Sequence, residues 1–243
     1  MNLTLDIGNT RIKWAAFQES SLLQTGVLSA SEKLRDEWAA LQTDYPGAQV
    51  LAAVSGRVPD VLSGLPMLTA TTPLPVKVDY QSRQTLGADR IAAAVGASSL
   101  LPVATSALII DAGTCITVDY LSVEGVFCGG AILPGLSMQF GALHEKTAAL
   151  PLLTLDQCGD WDGRAVGKTT VESIQAGVLT ATRYAVGRFV AHHRQTDSRL
   201  QVFVTGGDAR WVMPPDAQIL PHLSLIGLNV IINFNKKITT PNP

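Results

Sequence analysis

Charge is scarce in this chain. Only 16% of its 243 residues are charged, and 18 Lys and Arg nearly balance 20 Asp and Glu. A net charge of −2 and a pI near 6.1 leave no basic excess of the kind that marks a nucleic-acid surface. Cysteine is also sparse. Cys115, Cys128 and Cys158 are odd in number and their spacing fits no metal motif. That set points to a reducing compartment without a disulfide framework, and to small buried thiols rather than nucleophiles. No apolar run approaches the ~20 residues of a membrane span. Met1 leads almost directly into a strand carrying Asp6, without a basic segment or an apolar signal core. The expectation is a soluble, cytoplasmic protein with neither a nucleic-acid nor a membrane partner.

What the chain has is apolar mass. Hydrophobic residues make up 47%, enough to build the core of one large domain or of two ordinary ones. Leu3-Thr4-Leu5 alternates and is β-prone, and Ile12 to Phe17 resumes a strand. A third strand is expected near Gln24 to Leu28. A helix should follow through Glu32, Leu34, Trp38 and Leu41, capped by Ser29 or Ser31. Val50 to Val54 reads as a buried strand ending at Ser55-Gly56. After a Pro-rich connection, Ile91-Ala92-Ala93-Ala94-Val95-Gly96-Ala97 forms a helix whose small residues suit either an internal packing seam or a dimer seam. Ala107 to Ile110, Ile116 to Tyr120 and Val126 to Ala131 read as three further strands, and Gly129-Gly130 suggests close backbone approach. Helices follow from Pro134-Gly135 and, at length, from Thr169 or Thr170 through Val190. A strand at Gln201 to Thr205, another near Ile219, and a helix from about Leu225 to Asn235 complete the pattern. A frayed tail is expected from Thr239.

Asp6-Ile7-Gly8-Asn9-Thr10-Arg11-Ile12-Lys13 stands out. Gly and Asn accept positive φ, so a hairpin turn joins the two strands. An acidic strand end, free backbone N–H groups and following cations can also hold Mg²⁺ and phosphate together. A plain hairpin with solvated charges is the alternative. The pattern then returns: Leu3 to Asn9 and Leu108 to Thr114 share an apolar strand, an Asp, a Gly and a polar residue, 105 positions apart. That offset suits tandem domains rather than a solenoid. The boundaries expected are 1–104 and 105–243, each with a mixed sheet and crossing helices, and with an ATP cleft between them. Val204-Thr205-Gly206-Gly207 would admit a base or ribose. No strand is followed by G-x-G-x-x-G, which disfavours a Rossmann fold. Gly163 lies one position too close to Gly167-Lys168-Thr169 for a P-loop.

Further segments fall in a definite order. Leu86-Gly87-Ala88-Asp89-Arg90, Asp111-Ala112-Gly113-Thr114, Gly129-Gly130-Ala131-Ile132-Leu133-Pro134-Gly135 and Thr205-Gly206-Gly207-Asp208-Ala209 follow Asp6 to Thr10. Thr147 to Pro151 and Gly167 to Thr170 lie between the last two. The layout resembles the actin–hexokinase–Hsp70 superfamily, with two tandem actin-like (ribonuclease H-like) α/β domains. The full set is similar to the type III pantothenate kinases and runs from end to end of the chain. That resemblance implies ATP-dependent phosphorylation of pantothenate at the entry to coenzyme A synthesis, by a homodimer that needs K⁺ or NH₄⁺.

The resemblance also assigns residues. Asp6, Ile7, Gly8, Asn9, Thr10, Arg11, Ile12 and Lys13 would bind the ATP phosphates, and Thr114 would touch ATP. Tyr80, Gly87, Ala88, Asp89 and Arg90 would bind pantothenate, with Asp89 as proton acceptor. Asp111 would lie at the monovalent cation. Asp6 would serve Mg²⁺, through water. Thr170 would reach substrate from the partner subunit. Cys115, Arg83 and Thr169 depart from the family's usual Ala, Pro and Asn, and Arg83 bears on the shape of the substrate loop.

The chemistry of the residues agrees. Phosphoryl transfer needs positioning and charge neutralisation more than covalent work. A carboxylate must also orient the alcohol. Asp89 fits, because a helix N-terminus favours a negative charge. Arg90 points elsewhere from the helix and can meet the substrate carboxylate or an amide oxygen. A charged first turn that only stabilises the helix is the bland reading of this pair. His144, Glu145 and His192-His193 read as solvated helix ends. Two rivals remain: a sugar or carboxylate kinase of the same superfamily, which would lack Leu86 to Arg90, and a non-catalytic nucleotide-gated regulator, which would not need Asp89.

Overall fold

The structure, a computed structural model, describes residues 1–29 and 31–239. Residues past Thr239, where a tail was expected, lie outside the described residues. In chain order the strands and helices are β1 (Asn2–Ile7), β2 (Ile12–Gln18), β3 (Ser21–Leu28), α1 (Leu34–Asp44), β4 (Gln49–Val54), β5 (Lys77–Val78) and α2 (Ala88–Leu100). Then come β6 (Ala107–Ala112), β7 (Cys115–Leu121), β8 (Val126–Pro134), α3 (Leu136–Glu145), α4 (Thr170–Gln175) and α5 (Ala181–Arg194). Last are β9 (Gln201–Thr205), α6 (Ala209–Val212), β10 (Gln218–Ile219) and α7 (Leu223–Thr239).

The elements form two compact units. The first holds Met1–Ala104, Leu121–Gly129 and the described chain from His222; the second holds Thr105–Tyr120 and Gly130–Pro221. The C-terminal helix thus packs in the first unit, and β8 passes from one unit to the other after Gly129.

In the first unit the sheet order is β3-β2-β1-β4, with β1 antiparallel to β2 and parallel to β4. The alternation of β1 explains its place. Leu3, Leu5 and Ile7 join Trp38, Leu41 and Leu62 in one core. Burying each such side chain is worth about 1.5–3 kcal/mol, so a one-residue register slip, which would exchange them for Asn2, Thr4 and Asp6, is prohibitive. The opposite face is polar and buried, and α7 supplies its partners. Asn2 Nδ2 donates to Asn229 (2.6 Å) and Asn233 (2.9 Å), and Lys236 Nζ donates to Asn2 Oδ1 at 2.8 Å.

Helix α7 is pinned by backbone contact with α2. A methyl on Gly227 would sit 1.7 Å from the Ala92 carbonyl oxygen, and one on Gly96 would sit 2.4 Å from that of Leu223. The small residues of α2 therefore serve an internal seam, and Ala92 to Gly96 are buried there. Helix α1 begins at Leu34 without a side-chain cap. Neither Ser29 nor Ser31 caps it as expected. Ser29 instead bonds through its N–H and hydroxyl to Glu37, both at 2.7 Å, which ties the incoming chain to the first turn of the helix.

The second unit repeats the plan. Its strand order is β10-β9-β6-β7-β8, with β6 parallel to β9. Leu108, Ile110, Ile116, Val118, Phe140, Val202 and Val204 share its core. The expected close approach at Gly130 is present: an added methyl would sit 1.9 Å from the Val118 carbonyl oxygen. The long helix predicted from Thr169 is interrupted. Ala176–Thr180 is wound as a π-helix between α4 and α5. Thr169 does cap α4, accepting the Glu172 N–H at 3.2 Å. The cysteines differ from expectation: Cys158 is buried, but Cys115 and Cys128 are exposed. Both lie on strands at positions that face away from the core.

Candidate active site

The first turn is built by β1, β2 and the end of β4. Gly8 N–H donates to the Arg11 carbonyl at 3.1 Å, which closes a turn whose Asn9, Thr10 and Arg11 are exposed. Asp6 and Lys13 are cross-strand partners. The Ile7 carbonyl accepts from both Ser55 (3.0 Å) and Gly56 (3.1 Å). Gly56 lies so close that a methyl there would be 2.4 Å from the Gly8 carbonyl oxygen. The β4 end thus forms a floor under the turn.

Asp6 is half-buried, and Ser224 Oγ donates to its Oδ2 at 2.8 Å. Burial pushes the Asp6 carboxyl above its ordinary value; Ser224 and the Lys13 charge pull it down, and the Asp89 charge pushes it up. Asp6 and Asp89 are therefore close enough to feel one another. His222, which precedes α7 with φ 63°, is held below the usual imidazole range by burial and by Lys13.

Asp89 is in the first turn of α2, whose N-cap is Gly87. The Arg90 N–H donates to Asp89 Oδ1 at 2.9 Å. A methyl on Gly87 would sit 2.5 Å from that same oxygen, so a larger residue there would push the carboxylate aside. Arg90 is 6% exposed, and its guanidinium lies 5.8 Å from the ring centres of both Tyr80 and Phe127. Tyr80 in turn covers Gly129, whose added methyl would be 3.0 Å from the ring. The structure thus gathers Tyr80, Gly87, Ala88, Asp89 and Arg90 at one end of α2.

The second turn is built by β6, β7 and the end of β9. Gly113 N–H donates to the Cys115 carbonyl at 2.9 Å. Asp111 pairs with Thr205 on β9, and the Asp208 N–H donates to the Ala112 carbonyl at 3.0 Å. Gly206 has φ +93°, and a methyl there would be 2.2 Å from the Ala112 carbonyl oxygen and 2.6 Å from Asp111 Oδ1. Gly135 closes the other side, its N–H 3.1 Å from the Thr114 carbonyl. Asp111 and Thr114 thus share one loop cluster.

Thr170 stands apart from that cluster, as the first residue of α4. It lines an open groove of about 650 Å³ with Lys168, Thr169, Leu143 and Leu150. Glu172 ties the loop before it, accepting from Lys168 N–H at 2.7 Å and pairing with Arg164 at 2.8 Å.

Sequence reasoning missed Ser224 and His222, and gave Gly56 only as the end of a strand. The polar side of β1 was the available signal, because a buried Asn-x-Thr-x-Asp face needs partners from elsewhere. Among the described residues no three His, Cys, Asp or Glu cluster to form a cage for a metal. Mg²⁺ does not need one: it keeps several waters and uses one or two carboxylates plus substrate phosphates. Asp6, a carboxylate beside a turn whose Asn9, Thr10 and Arg11 are exposed, fits that donor set.

The comparisons with known proteins agree with this geometry. Residues 2–192 match the family model described as type III pantothenate kinase. A type III pantothenate kinase of Cytophaga hutchinsonii is 34% identical over 242 residues, covering 97% of this chain and 100% of that protein. One from Porphyromonas gingivalis is 42% identical over 173 residues, 70% of this chain and 69% of that protein. Among solved structures, the activator of the 2-hydroxyisocaproyl-CoA dehydratase from Clostridium difficile, with bound ADPNP, superimposes with TM-score 0.55 at 13% identity, covering 100% of this chain and 98% of that one. That likeness is one of fold, the α/β fold of the actin- and hexokinase-like ATPases. No helix among the described residues is long and apolar enough to cross a membrane. With its matched family model, full-length relatives and doubled turn, the chain belongs to the type III pantothenate kinases, enzymes that phosphorylate pantothenate in coenzyme A biosynthesis.

Proposed function

We propose that this chain transfers the γ-phosphoryl group of ATP to the primary hydroxyl of pantothenate, giving 4′-phosphopantothenate, in the cytoplasm. The observation that carries the reading is Asp89. Its carboxylate is fixed by the N–H of Arg90, whose own guanidinium stacks over Tyr80, and lies within electrostatic reach of Asp6. A base must sit near both the alcohol and the phosphate to be transferred, and a carboxylate in that place suits the task.

In this reading the exposed turn from Gly8 to Lys13 holds the ATP phosphates through backbone N–H groups and the cations Arg11 and Lys13. Asp6 would hold Mg²⁺ through water, and the bound ion would supply charge neutralisation at the phosphate oxygens. Asp89 orients the substrate hydroxyl and accepts its proton as the O–P bond forms. Arg90 is held rigid between Tyr80 and Phe127, so it meets the polar end of the substrate without a large loss of side-chain entropy. In the second unit Thr114 contacts ATP and Asp111 holds K⁺ or NH₄⁺. The groove at Thr170 receives a second copy of the chain, and Thr170 completes that copy's substrate site. Exposed Val166 and Tyr184 (76% and 66%), in the same region as the groove, support such an assembly.

The deciding experiment is ADP release from ATP on adding pantothenate, with glucose and acetate as controls. Release with pantothenate alone is expected. Release with glucose or acetate, or with none of the three, would overturn the assignment.

A further inference from the structure

The carboxylate of the first turn is held by a residue 218 positions away, the Ser224 hydroxyl 2.8 Å from Asp6 Oδ2. Ser224 is buried at 6% exposure in the first turn of α7. The same helix is fixed at several other points. Asn229 and Asn233 bond both Asn2 and the Glu19 carbonyl, and Gly227 meets the Ala92 backbone of α2. Helix α7 therefore touches β1, which carries Asp6, and α2, which carries Asp89. With Oδ2 engaged by an immobile donor, the Asp6 carboxylate keeps one rotamer. Lys13 on β2 and Asp89 on α2 are the charged groups that act on it, and His222 before α7 feels the same Lys13.

We propose that Ser224 is a positioning residue for phosphoryl transfer: its hydrogen bond sets the orientation of Asp6 toward the Mg²⁺–nucleotide, and α7 locks that orientation to the helix bearing the base. The role rests on the kinase reading above. It is distinct from packing, because Asn2, Asn229, Asn233 and the glycine seam hold α7 in place without Ser224. A group that fixes a catalytic carboxylate acts on the geometry of the reacting complex, where small displacements have large effects on rate.

The test uses the full chain. Titration calorimetry measures a non-hydrolysable ATP analogue, with Mg²⁺ and with EDTA, alongside steady-state kinetics and thermal melting. Loss of one charge-assisted hydrogen bond in Ser224→Ala should lower kcat and Mg²⁺–nucleotide affinity about tenfold, leaving the KM for pantothenate within about twofold. Binding in EDTA and the melting temperature should stay near wild type, and Ser224→Thr should restore most of the loss. The double variant Asp6→Asn/Ser224→Ala should behave as Asp6→Asn alone. If Ser224→Ala does not fold, Ser224→Cys, of similar size but with a weak donor, makes the same comparison. A Ser224→Ala or Ser224→Cys variant that binds Mg²⁺–nucleotide as wild type does, or that loses binding equally in EDTA, overturns the positioning role. A wild type that binds no Mg²⁺–nucleotide overturns instead the kinase reading on which it rests.

Discussion

The two turns are the same device finished in different ways. Each follows a buried strand whose penultimate residue is Asp, and each rests on a parallel strand that leads into a glycine-bearing loop. In the first, Asp6 is tied to a distant hydroxyl and opposed by Lys13. In the second, Asp111 is crowded by the backbone of Gly206, at φ +93°. The first turn opens cationic residues to solvent: Arg11 is exposed and Lys13 is half-buried. The second opens Thr114 and Cys115. The comparison teaches that a repeated turn fixes only where a carboxylate and a row of N–H groups stand. Which ligand the carboxylate serves is decided by what the rest of the chain packs against it.

The sharpest break in the comparison comes from outside both turns. Asp89→Asn keeps each turn intact, so folding and ATP binding should persist while pantothenate phosphorylation falls by about a thousandfold or more, on the scale of losing a general base and its alignment. Near-normal turnover in an ADP-release assay would remove Asp89 from the chemistry. Next come the paired carboxylates. Asp6→Asn should cost about a hundredfold or more in kcat, with raised Mg²⁺ demand, since electrostatic groups at phosphate contribute on that scale. Asp111→Asn should instead erase the preference for K⁺ or NH₄⁺ over Na⁺. Equal responses from the two variants would mean that the turns are interchangeable after all.

Asp6→Asn also carries a stability prediction of opposite sign. The Asp6 carboxyl is raised, so the folded chain holds that proton more tightly than the unfolded chain does. The charged form therefore costs stability above the folded value, and the cost disappears as pH falls below the unfolded one. Without nucleotide or metal, Asp6→Asn should melt at or above the wild-type temperature at neutral pH. A lower melting temperature would show that the charge itself supports the fold.

The smallest effects separate the two supporting glycines. Gly206→Ala meets both a blocked carbonyl and a left-handed backbone, the latter alone worth about 1–3 kcal/mol. Gly56→Ala meets the carbonyl clash without a positive φ. Both should lower the melting temperature, Gly206→Ala by more.

Much of this was legible in sequence because it is local. The strands β1, β6 and β9, both Asp-Gly turns and the helix start at Asp89 announce themselves within eight or so residues. Asp89 was readable from Leu86-Gly87-Ala88-Asp89-Arg90 itself, an acidic residue at a helix start beside a glycine. Ser224 was not, because nothing around it distinguishes it from any other helix serine. Its partner is set by the packing of α7 on β1, a long-range fact. The α2 seam was half legible. Small residues foretold close approach, but the partner, Gly227 on α7, was decided by which surface the chain returned to. The cap of α1 failed for a related reason: Ser29 found a better partner in Glu37, one turn further along. The π segment at Ala176–Thr180 left no compositional mark.

The return of α7 to the first unit also bears on how the protein folds. The first hundred residues precede His222 by more than a hundred positions, and β1 finds its polar partners only on α7, Asp6 meeting a serine 218 positions away. Until α7 packs there, Asn2 and Asp6 lack their partners on it, and the α2 seam at Ala92 and Gly96 lacks the Gly227 backbone that covers it. The first unit thus closes through contacts of high sequence separation, whereas the second draws on segments that are nearly contiguous.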